Sequence, residues 1–492
     1  MRKWWPLLTI CLGTFMLLLD VTIVNVALPA VATDLDAGFG ALQWVVDGYI
    51  LGLVVLLLAS GSLADLHGRR RSYLAGLALF AAASLACGLA ATPTMLVVAR
   101  GAQGVGGALM MATTLALLSS TYRGRDSGIA YGVWGAVVGT ATSIGPILGG
   151  VITEHLSWRW IFLVNVPISV VAIVFTLRVL TESANPLAKR VDWAGVLTFS
   201  VAMGALLLAL IGAGSWSPWL YPVAALALAA FVAVEWRQAE PMLDLRLFTR
   251  SAFLAISFVA MTMPFAVFSL FLFLALWLQS VLGLSPVEVG LTFLPLSVVS
   301  LVVSLVAGRY LISRVSARTQ ISAGLTVCGI GVLLLIGSAT APALLPGLLV
   351  AGLGVGLASP RLTEAAMSVV PSDRAGMAAG ANTTFSQLGN ALGIAILGVL
   401  FTRHVEASLG EPGFASAVVG GGTPGLLAAT PAPERAALAE VINASFTAGL
   451  NHVYVIAAVI AFAGAVAAWR VSVPTGDSQL RSGESAEVGL PG

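Results

Sequence analysis

Long apolar segments follow one another along almost the entire chain and limit what it can fold into. A helix needs about 20 apolar residues to cross the hydrocarbon core of a bilayer, and fourteen segments roughly reach that length. They lie near residues 7–31, 42–63, 73–91, 94–121, 127–153, 160–180, 193–213, 218–236, 253–280, 286–307, 320–338, 344–370, 374–402 and 446–469. The chain is only 9% charged, whereas a soluble domain is about 25% charged. These features predict an all-α integral membrane protein with fourteen spans.

The distribution of Lys and Arg predicts how the spans are oriented. With a cytoplasmic N-terminus, 20 of the 24 basic residues fall in segments on the cytoplasmic side, as the positive-inside rule requires. Loss of one span would move every later loop to the other side and remove this asymmetry. The expected location is therefore the plasma (inner) membrane, multi-pass, with both termini cytoplasmic.

Several classes of function lack their characteristic residues. The three cysteines lie in apolar runs without paired spacing, which predicts neither a disulfide nor a metal site. The four histidines are scattered, and no His-Glu-x-x-His pair of a metalloprotease occurs. Neither Lys3 nor Lys189 follows the glycines of a nucleotide-binding P-loop. We therefore expect no enzymatic activity and no cofactor, and any pumping must draw on an ion gradient or another subunit.

The most ordered short motif runs from Gly61 to Arg71, Gly-Ser-Leu-Ala-Asp-Leu-His-Gly-Arg-Arg-Arg, between the second and third spans. Gly61 would let a neighbouring helix come close, and Asp65 would meet Arg69 if the helix continues that far. The stretch resembles the signature loop of the major facilitator superfamily, which implies a cytoplasmic gate. The gate residues would be Gly61, Asp65, Gly68, Arg69 and Asp126. The alternative is a generic positive loop at a helix end.

The sequence repeats weakly, which indicates a duplicated architecture. Gly308 to Arg318 echoes the signature loop, with Ile312 in place of its Asp. The offset between the two loops is longer than six spans require, so two spans within Asp192 to Trp236 are inserted between the halves. Duplicated six-span halves build the facilitator fold. The predicted domains are a six-helix bundle at 1–190, two inserted helices and a linker at 191–250, a second six-helix bundle at 251–470, and a disordered cytoplasmic tail at 471–492.

Three charged residues lie inside the first four predicted spans. Asp20 lies about 20 Å from the inner end of the first span, where a carboxylate is costly and usually faces a cavity or a partner. Arg100, in the fourth span, cannot lose its charge and needs an anionic or carbonyl partner. Asp47, at a matching depth in the second span, is a candidate partner. We predict that Asp20, Arg100 and Asp47 carry proton coupling; the alternative is a purely structural role for Asp20 and for Arg100.

Several stretches resemble one group of the superfamily, the fourteen-helix drug:proton antiporters. Asp20 to Pro29 resembles the first span of that group, and Arg100 to Gly104 matches the superfamily's Arg-x-x-x-Gly element, whose arginine is tied to proton coupling. The segments 235–248 and 382–393 resemble the group's linker and thirteenth span. An element typical of exporters, Gly-Pro-x-x-Gly-Gly, is matched in the fifth span by Gly139, Gly145, Pro146, Gly149 and Gly150.

Other polar residues are candidates for contact with substrate. Those predicted to line a cavity are Asn25, Gln103, Asn382, Gln387 and Asn390. Arg361 and Glu364, near the inner end of the twelfth span, depart from the group's pattern. They form either a local ion pair or a substrate-specific feature.

The resemblance extends from Leu7 to about Trp469. It implies a major facilitator fold, with two six-helix bundles around a central cavity plus two inserted transmembrane helices. The implied function is proton-coupled efflux of lipophilic, often cationic drugs or antibiotic-like natural products by alternating access. The implied partners are a drug-like small molecule, protons and the lipid bilayer, with a monomeric chain and no nucleic acid. Proton-coupled uptake of a small nutrient is the main alternative, and a sensor or a lipid flippase on the same fold is another.

Overall fold

The computed structural model describes residues 2–122, 125–183, 191–211, 217–238, 241, 243, 245–311, 314–368, 375–410 and 412–471. Every secondary-structure element in these ranges is helical. Inside a bilayer the backbone must satisfy its own hydrogen bonds, and helices do so within one segment. The predicted all-α class is therefore confirmed for the part of the chain that the structure describes. The tail predicted to be disordered lies outside the described residues, apart from Val471.

The helices follow in chain order. The first six are α1 (Trp5–Leu35), α2 (Phe39–His67), α3 (Arg69–Gly88), α4 (Pro93–Thr121), α5 (Arg125–His155) and α6 (Trp160–Val179). Two more form a hairpin, α7 (Trp193–Ile211) and α8 (Ser217–Arg237). The remainder are α9 (Ser251–Val281), α10 (Pro286–Val306), α11 (Ala317–Leu333), α12 (Leu345–Ser368), α13 (Ala375–Leu409), α14 (Pro412–Val419), α15 (Thr423–Ala429) and α16 (Ala432–Ala468).

Each of the fourteen predicted spans coincides with one of these helices. By length and composition, twelve helices in the described ranges are apolar and long enough to cross a membrane. Helix α11, at 17 residues, is shorter than that standard, and many side chains of α5 lie outside the described part of the chain, so the count of fourteen spans is not confirmed. The segment from about Thr402 to Ile442, between the last two predicted spans, is rich in Gly, Ala and Pro, which predicts a non-helical outer loop; this prediction is wrong. Helix α13 continues to Leu409, α14 and α15 follow, and α16 already begins at Ala432.

The two groups of six helices pack in the same pairs. In the first group, α1 contacts α5 and α6, α4 contacts α2 and α3, and α3 contacts α6. In the second group, α9 contacts α13 and α16, α12 contacts α10 and α11, and α11 contacts α16. When α9, α10, α11, α12, α13 and α16 are matched in order to α1–α6, these pairs are identical. We call residues 2–183 the first half and residues 251–471 the second half.

Among the described residues, the main helix contacts between the halves are those of α5 with α10, α2 with α13, and α1 with α9. The hairpin α7–α8 lies against one of these seams, because α7 contacts both α2 and α13. Helix α8 packs on α7, with the rings of Phe199 and Phe231 5.2 Å apart. We call the side of the molecule that carries the α2–α3 loop the inner side and the opposite side the outer side, following the predicted orientation.

Candidate proton-coupling site and gates

A buried ion pair joins α1 to α4. Arg100 Nη1 lies 2.5 Å from Asp20 Oδ2, and the two side chains are 1% and 0% exposed. Arg100 Nε donates to the Val45 carbonyl of α2 at 3.0 Å. The guanidinium also lies over the Tyr49 ring, with Cζ 4.2 Å from the ring centroid. A carboxylate, a carbonyl and an aromatic face therefore all hold the charge of Arg100 inside the bundle.

Two amide side chains complete the coordination of Asp20. Asn165 Nδ2 of α6 donates to Asp20 Oδ1 at 2.9 Å, and Gln103 Nε2 donates to the same oxygen at 2.8 Å. Gln103 also accepts from Arg100 Nη1 at 2.7 Å and donates to Ser84 Oγ of α3 at 2.9 Å. Helices α1, α3, α4 and α6 thus meet at one polar network with both carboxylate oxygens bonded.

This network bears on one predicted residue and adds another. Gln103, predicted to line the substrate cavity, is fully buried here and bonded to Asp20 and Arg100, and its contact with substrate stays a prediction. Asn165 was not singled out from the sequence. Its only signal was an amide within a long apolar segment, and such a residue needs a partner because an unsatisfied polar group inside a membrane is costly.

Asp47 is not the partner of Arg100. Its side chain is fully buried, and neither carboxylate oxygen has a hydrogen-bond partner among the residues that the structure describes. Val45 and Tyr49, two residues to either side, face α4 through the contacts with Arg100. Gln43, one turn away on the face that Asp47 shares, donates to the Ile394 carbonyl of α13 at 2.8 Å. Equal depth therefore did not bring Asp47 and Arg100 together, because Asp47 lies on a different face of α2.

The signature loop is fastened to the segment that follows α6. Glu182 accepts the backbone N–H groups of Arg70 at 3.0 Å and Arg71 at 3.2 Å, while Arg69 N donates to the Ser183 carbonyl at 2.8 Å. The first N–H groups of a helix have no partner within the helix, so Glu182 and Ser183 cap α3 from 112 residues away in sequence. Sequence reasoning missed Glu182 because an isolated acidic residue in a loop carries no periodic signal.

Gly68 stands where this cap leaves no room for a side chain. Its φ is 103°, a conformation that favours glycine. A Cβ at this position would also lie 2.6 Å from the Glu182 carboxyl carbon. The glycine of the signature motif is therefore required both by the backbone turn and by the incoming carboxylate.

For three other residues of the predicted gate, the structure does not confirm the contacts that were expected of them. Asp126 forms an ion pair with Lys3, with Nζ 3.1 Å from Oδ1, so its predicted place in a latch with Asp65 and Arg69 is not supported. No described atom lies within 4 Å of a Cβ built at Gly61, so the close helix approach predicted there is not found. The side chain of Asp65 lies outside the part that the structure describes.

The glycines of α5 form two tight contacts. A Cβ at Gly149 would lie 2.6 Å from the Ile23 carbonyl oxygen of α1, and one at Gly145 would overlap the Thr22 side chain. On the other side, a Cβ at Gly150 would overlap the Pro286 carbonyl oxygen of α10. Glycine removes this obstacle and lets helices approach to backbone contact. The surroundings of Gly139, in the same helix, lie outside the described residues.

The contact between α5 and α10 is reciprocal. Pro146 and Gly150 are four residues apart on α5, and Pro286 and Gly290 are four apart on α10. Gly150 lies against the carbonyl of Pro286, and Gly290 lies against the carbonyl of Pro146. The two helices, one from each half, therefore meet through matching Pro-x-x-x-Gly faces. The α10 member of this pair was not recognised from the sequence.

The remaining predicted residues are scattered over both halves. Asn25 is half-buried, and its Nδ2 lies 3.5 Å from the Val21 carbonyl of its own helix. Asn382 and Asn390 of α13 each have a buried side-chain oxygen that finds no partner within the described part of the chain, and Gln387 is half-buried on the same helix. Their contact with a substrate stays a prediction.

Arg361 and Glu364 form the local ion pair that was one of the two alternatives for them. Arg361 Nη1 lies 2.5 Å from Glu364 Oε2. Arg361 Nη2 also lies 3.4 Å from the Val315 carbonyl just before α11.

Comparison with known proteins places this geometry in a family. The family model described as Major Facilitator Superfamily matches residues 10–394. The multidrug resistance protein Stp of Mycobacterium tuberculosis is 40% identical over 418 residues, which cover 83% of this chain and 77% of Stp. The tetracenomycin C resistance and export protein of Streptomyces glaucescens is 34% identical over 95% of this chain and 91% of its own length.

A solved structure shares the fold. It is a bacterial homologue of the human lysosomal transporter Spinster, and it superposes with a TM-score of 0.68 over 96% of this chain and 97% of that chain. At 16% sequence identity this likeness concerns the fold alone. Together with the family match and the two relatives, it leads to one assignment: the chain belongs to the major facilitator superfamily.

Proposed function

We propose that this protein is a proton-coupled efflux transporter that exports lipophilic, often cationic drugs or antibiotic-like natural products by alternating access. The observation that carries the proposal is the buried Asp20–Arg100 pair, a titratable charge inside a membrane helix bundle. The relatives support the cargo class, since two of them bear the names multidrug resistance protein and tetracenomycin C resistance and export protein.

The proposed topology has fourteen spans with both termini in the cytoplasm. The first bundle comprises residues 1–190, the inserted pair and linker 191–250, and the second bundle 251–470. The asymmetry of Lys and Arg and the matching helix pairs of the two halves support this division. Cysteine introduced at exposed Asp36, after α1, should react with an impermeant thiol reagent on intact cells. Cysteine at exposed Thr181, after α6, should not react, and labelling of both positions would contradict the topology.

Proton binding at Asp20 is the proposed coupling step. Asp20 as a carboxylate balances the charge of Arg100, and a proton on Asp20 removes that balance. Arg100 cannot release its own charge, so the neutralised pair loosens the contact between α1 and α4. Thr22 and Ile23, directly after Asp20, lie against Gly145 and Gly149 of α5. A shift of α1 therefore acts on the helix whose other face forms the seam with α10.

Asp47 is a second site for a proton in this proposal. A buried carboxylate with no hydrogen-bond partner is strongly unfavourable when it is charged, so the proposal places a proton on Asp47 while α2 and α13 are in contact. It lies on the face of α2 turned toward the second half, together with Gln43. Movement of α13 away from α2 would admit water to Asp47 and allow it to lose its proton.

Substrate is proposed to bind between the halves. Asn382, Gln387 and Asn390 on α13 and Asn25 on α1 supply polar groups, and the partnerless oxygens of Asn382 and Asn390 are available to a ligand. The signature loop, including Asp65 and Arg69, is proposed to gate the inner side. One chain suffices for this cycle, and its partners are the cargo, protons and the bilayer.

Export into everted membrane vesicles tests the function. An acidic lumen should drive accumulation of a cationic dye such as ethidium, because protons leave the lumen as dye enters. Vesicles without the protein, and vesicles treated with a protonophore, provide the baselines. Dye uptake that is independent of the proton gradient, or loss of preloaded dye under the same gradient, would contradict proton-coupled export and favour uptake.

A further inference from the structure

The backbone N–H groups at the start of α10 can each be matched with a hydrogen-bond partner. Pro286, at the first position, has no N–H. Glu288 N donates to Ser285 Oγ at 3.3 Å, and Ser285 N donates to Glu288 Oε2 at 2.8 Å, which together form a capping box. One amide, Val287 N, is left without a partner in its own half, and it donates to Glu154 Oε2 at 3.1 Å.

Glu154 belongs to the other half of the molecule. It lies one turn beyond Gly150 at the outer end of α5, on the same side as the reciprocal Pro-x-x-x-Gly contact with α10. The carboxylate therefore acts as a helix cap between the halves, added to the cap that α10 supplies for itself. A negative group at a helix N-terminus is also favoured by the positive end of the helix dipole.

We propose that Glu154 is a latch for the outer side of the transporter, a positioning residue that stabilises the closed α5–α10 seam. The inference rests on the proposed alternating access, in which the halves separate on the outer side to release cargo. Separation leaves Val287 N without its protein partner and pulls Gly150 away from Pro286. The capping box of Ser285 and Glu288 stays intact in both states, because both of its members lie in the second half.

Distances between spin labels test the latch directly. Labels on cysteines at Leu156, beyond the outer end of α5, and Leu291, on α10, report seam opening, since both side chains are exposed. The three native cysteines are buried and are replaced by alanine in this background. Glu154→Ala should raise the ratio of open to closed populations about five-fold, which corresponds to a helix-cap energy of about 1 kcal/mol. Glu154→Gln keeps a hydrogen-bond acceptor and should shift the ratio less.

Glu288→Ala is the matched control. It removes a glutamate from the same helix end, but its cap lies within one half, so the distance distribution should stay that of the parent. An unchanged distribution in Glu154→Ala would overturn the latch, and so would equal shifts in Glu154→Ala and Glu288→Ala. The distances are measured without drug or proton gradient, so a failure of drug export would not be mistaken for failure of the latch.

Discussion

The two halves pack their helices in the same pairs but differ in where they hold charge. Helix α1 carries Asp20 in a network with Arg100, Gln103 and Asn165. Its counterpart α9 contains no Asp, Glu, Lys, Arg or His anywhere between Ser251 and Val281. The second half reproduces the same helix pairs without a charged residue on its first helix, so this arrangement does not require the Asp20 network. This independence is why we assign the charge of α1 to the proposed coupling step.

The loops that enter the third helix of each half differ in the same way. In the first half, Glu182 and Ser183 cap α3 from the segment after α6. In the second half, the neighbouring Ser316 caps α11, with its Oγ accepting from Thr319 N at 3.3 Å. The first loop is therefore tied to the start of the connection between the halves, whereas the cap of the second is local. Movement of that connection can reach the signature loop directly.

The largest expected effect comes from removing the negative charge of Asp20, which only the first half carries on its first helix. Asp20→Asn leaves Arg100 as an unbalanced buried charge, and breaking a buried pair in this way costs about 3–5 kcal/mol. Proton-driven export should be abolished, and proton release on adding cargo to the solubilised protein should disappear. Asp20→Glu should keep partial activity, because it retains the titrating group.

Asp36→Asn is the control for this change, since it alters an exposed aspartate just beyond the same helix. It should transport and release protons like the parent. If Asp20→Asn also released protons like the parent, the carrier would lie elsewhere, and Asp47 would be the next residue to change.

The seam between α5 and α10 should respond equally to changes from either half. Gly150→Ala and Gly290→Ala each place a methyl group against a proline carbonyl of the opposite helix. Overpacking of this kind costs about 1–3 kcal/mol. The cost falls on the conformation in which the α5–α10 seam is closed. Both variants should raise labelling of a cysteine on the outer side of the cavity and slow export.

Gly204→Ala on α7 serves as the control for the seam variants, because a Cβ there meets no described atom within 4 Å. It should leave labelling and export unchanged. A strong effect of Gly150→Ala without any effect of Gly290→Ala would show that the seam is not the reciprocal contact described here.

A smaller effect should separate the two loops. Glu182→Ala removes the acceptor for two backbone amides of α3 and leaves only the Arg69–Ser183 backbone bond of this cap, so transport should fall several-fold. Ser316→Ala removes an ordinary helix cap and should cost about 1 kcal/mol of stability with transport close to that of the parent. The transport rate and the thermal unfolding of both variants are measured and compared with those of the parent. Equal losses of transport would remove the distinction between the loops.

The smallest effect is expected at Asp126. Its pair with Lys3 is exposed, with side-chain exposures of 60% for Lys3 and 42% for Asp126, and such pairs contribute about 0–1 kcal/mol. Asp126→Asn should therefore change the melting temperature little and leave transport near the parent level. A large loss of transport with normal expression would instead support the predicted role of Asp126 in the gate on the inner side.

Apolar length was enough to predict the all-α membrane class and to place a helix at each of the fourteen segments, although α16 begins well before its predicted span. It was sufficient because the bilayer imposes a minimum apolar length on each span. The glycines of α5 were also recognisable in advance, through their resemblance to the exporter element and because small residues let helices approach closely. The 402–442 segment was misjudged because its Gly, Ala and Pro content resembles a loop, whereas proline at or near a helix start, as in α14 and α15, is compatible with helix.

Only the tertiary structure decided which charged groups meet. Helical rise gave the depth of Arg100 and Asp47 but not the direction each faces around its helix axis, and packing of α2 against both α4 and α13 turned Asp47 away from Arg100. Glu182 and Glu154 lie at the ends of spans, where a single acidic residue has no periodic pattern. Their partners, the first amides of α3 and α10, lie 112 and 133 residues away. Backbone donors leave no mark in a sequence, so contacts of this kind exist only once the helices are assembled.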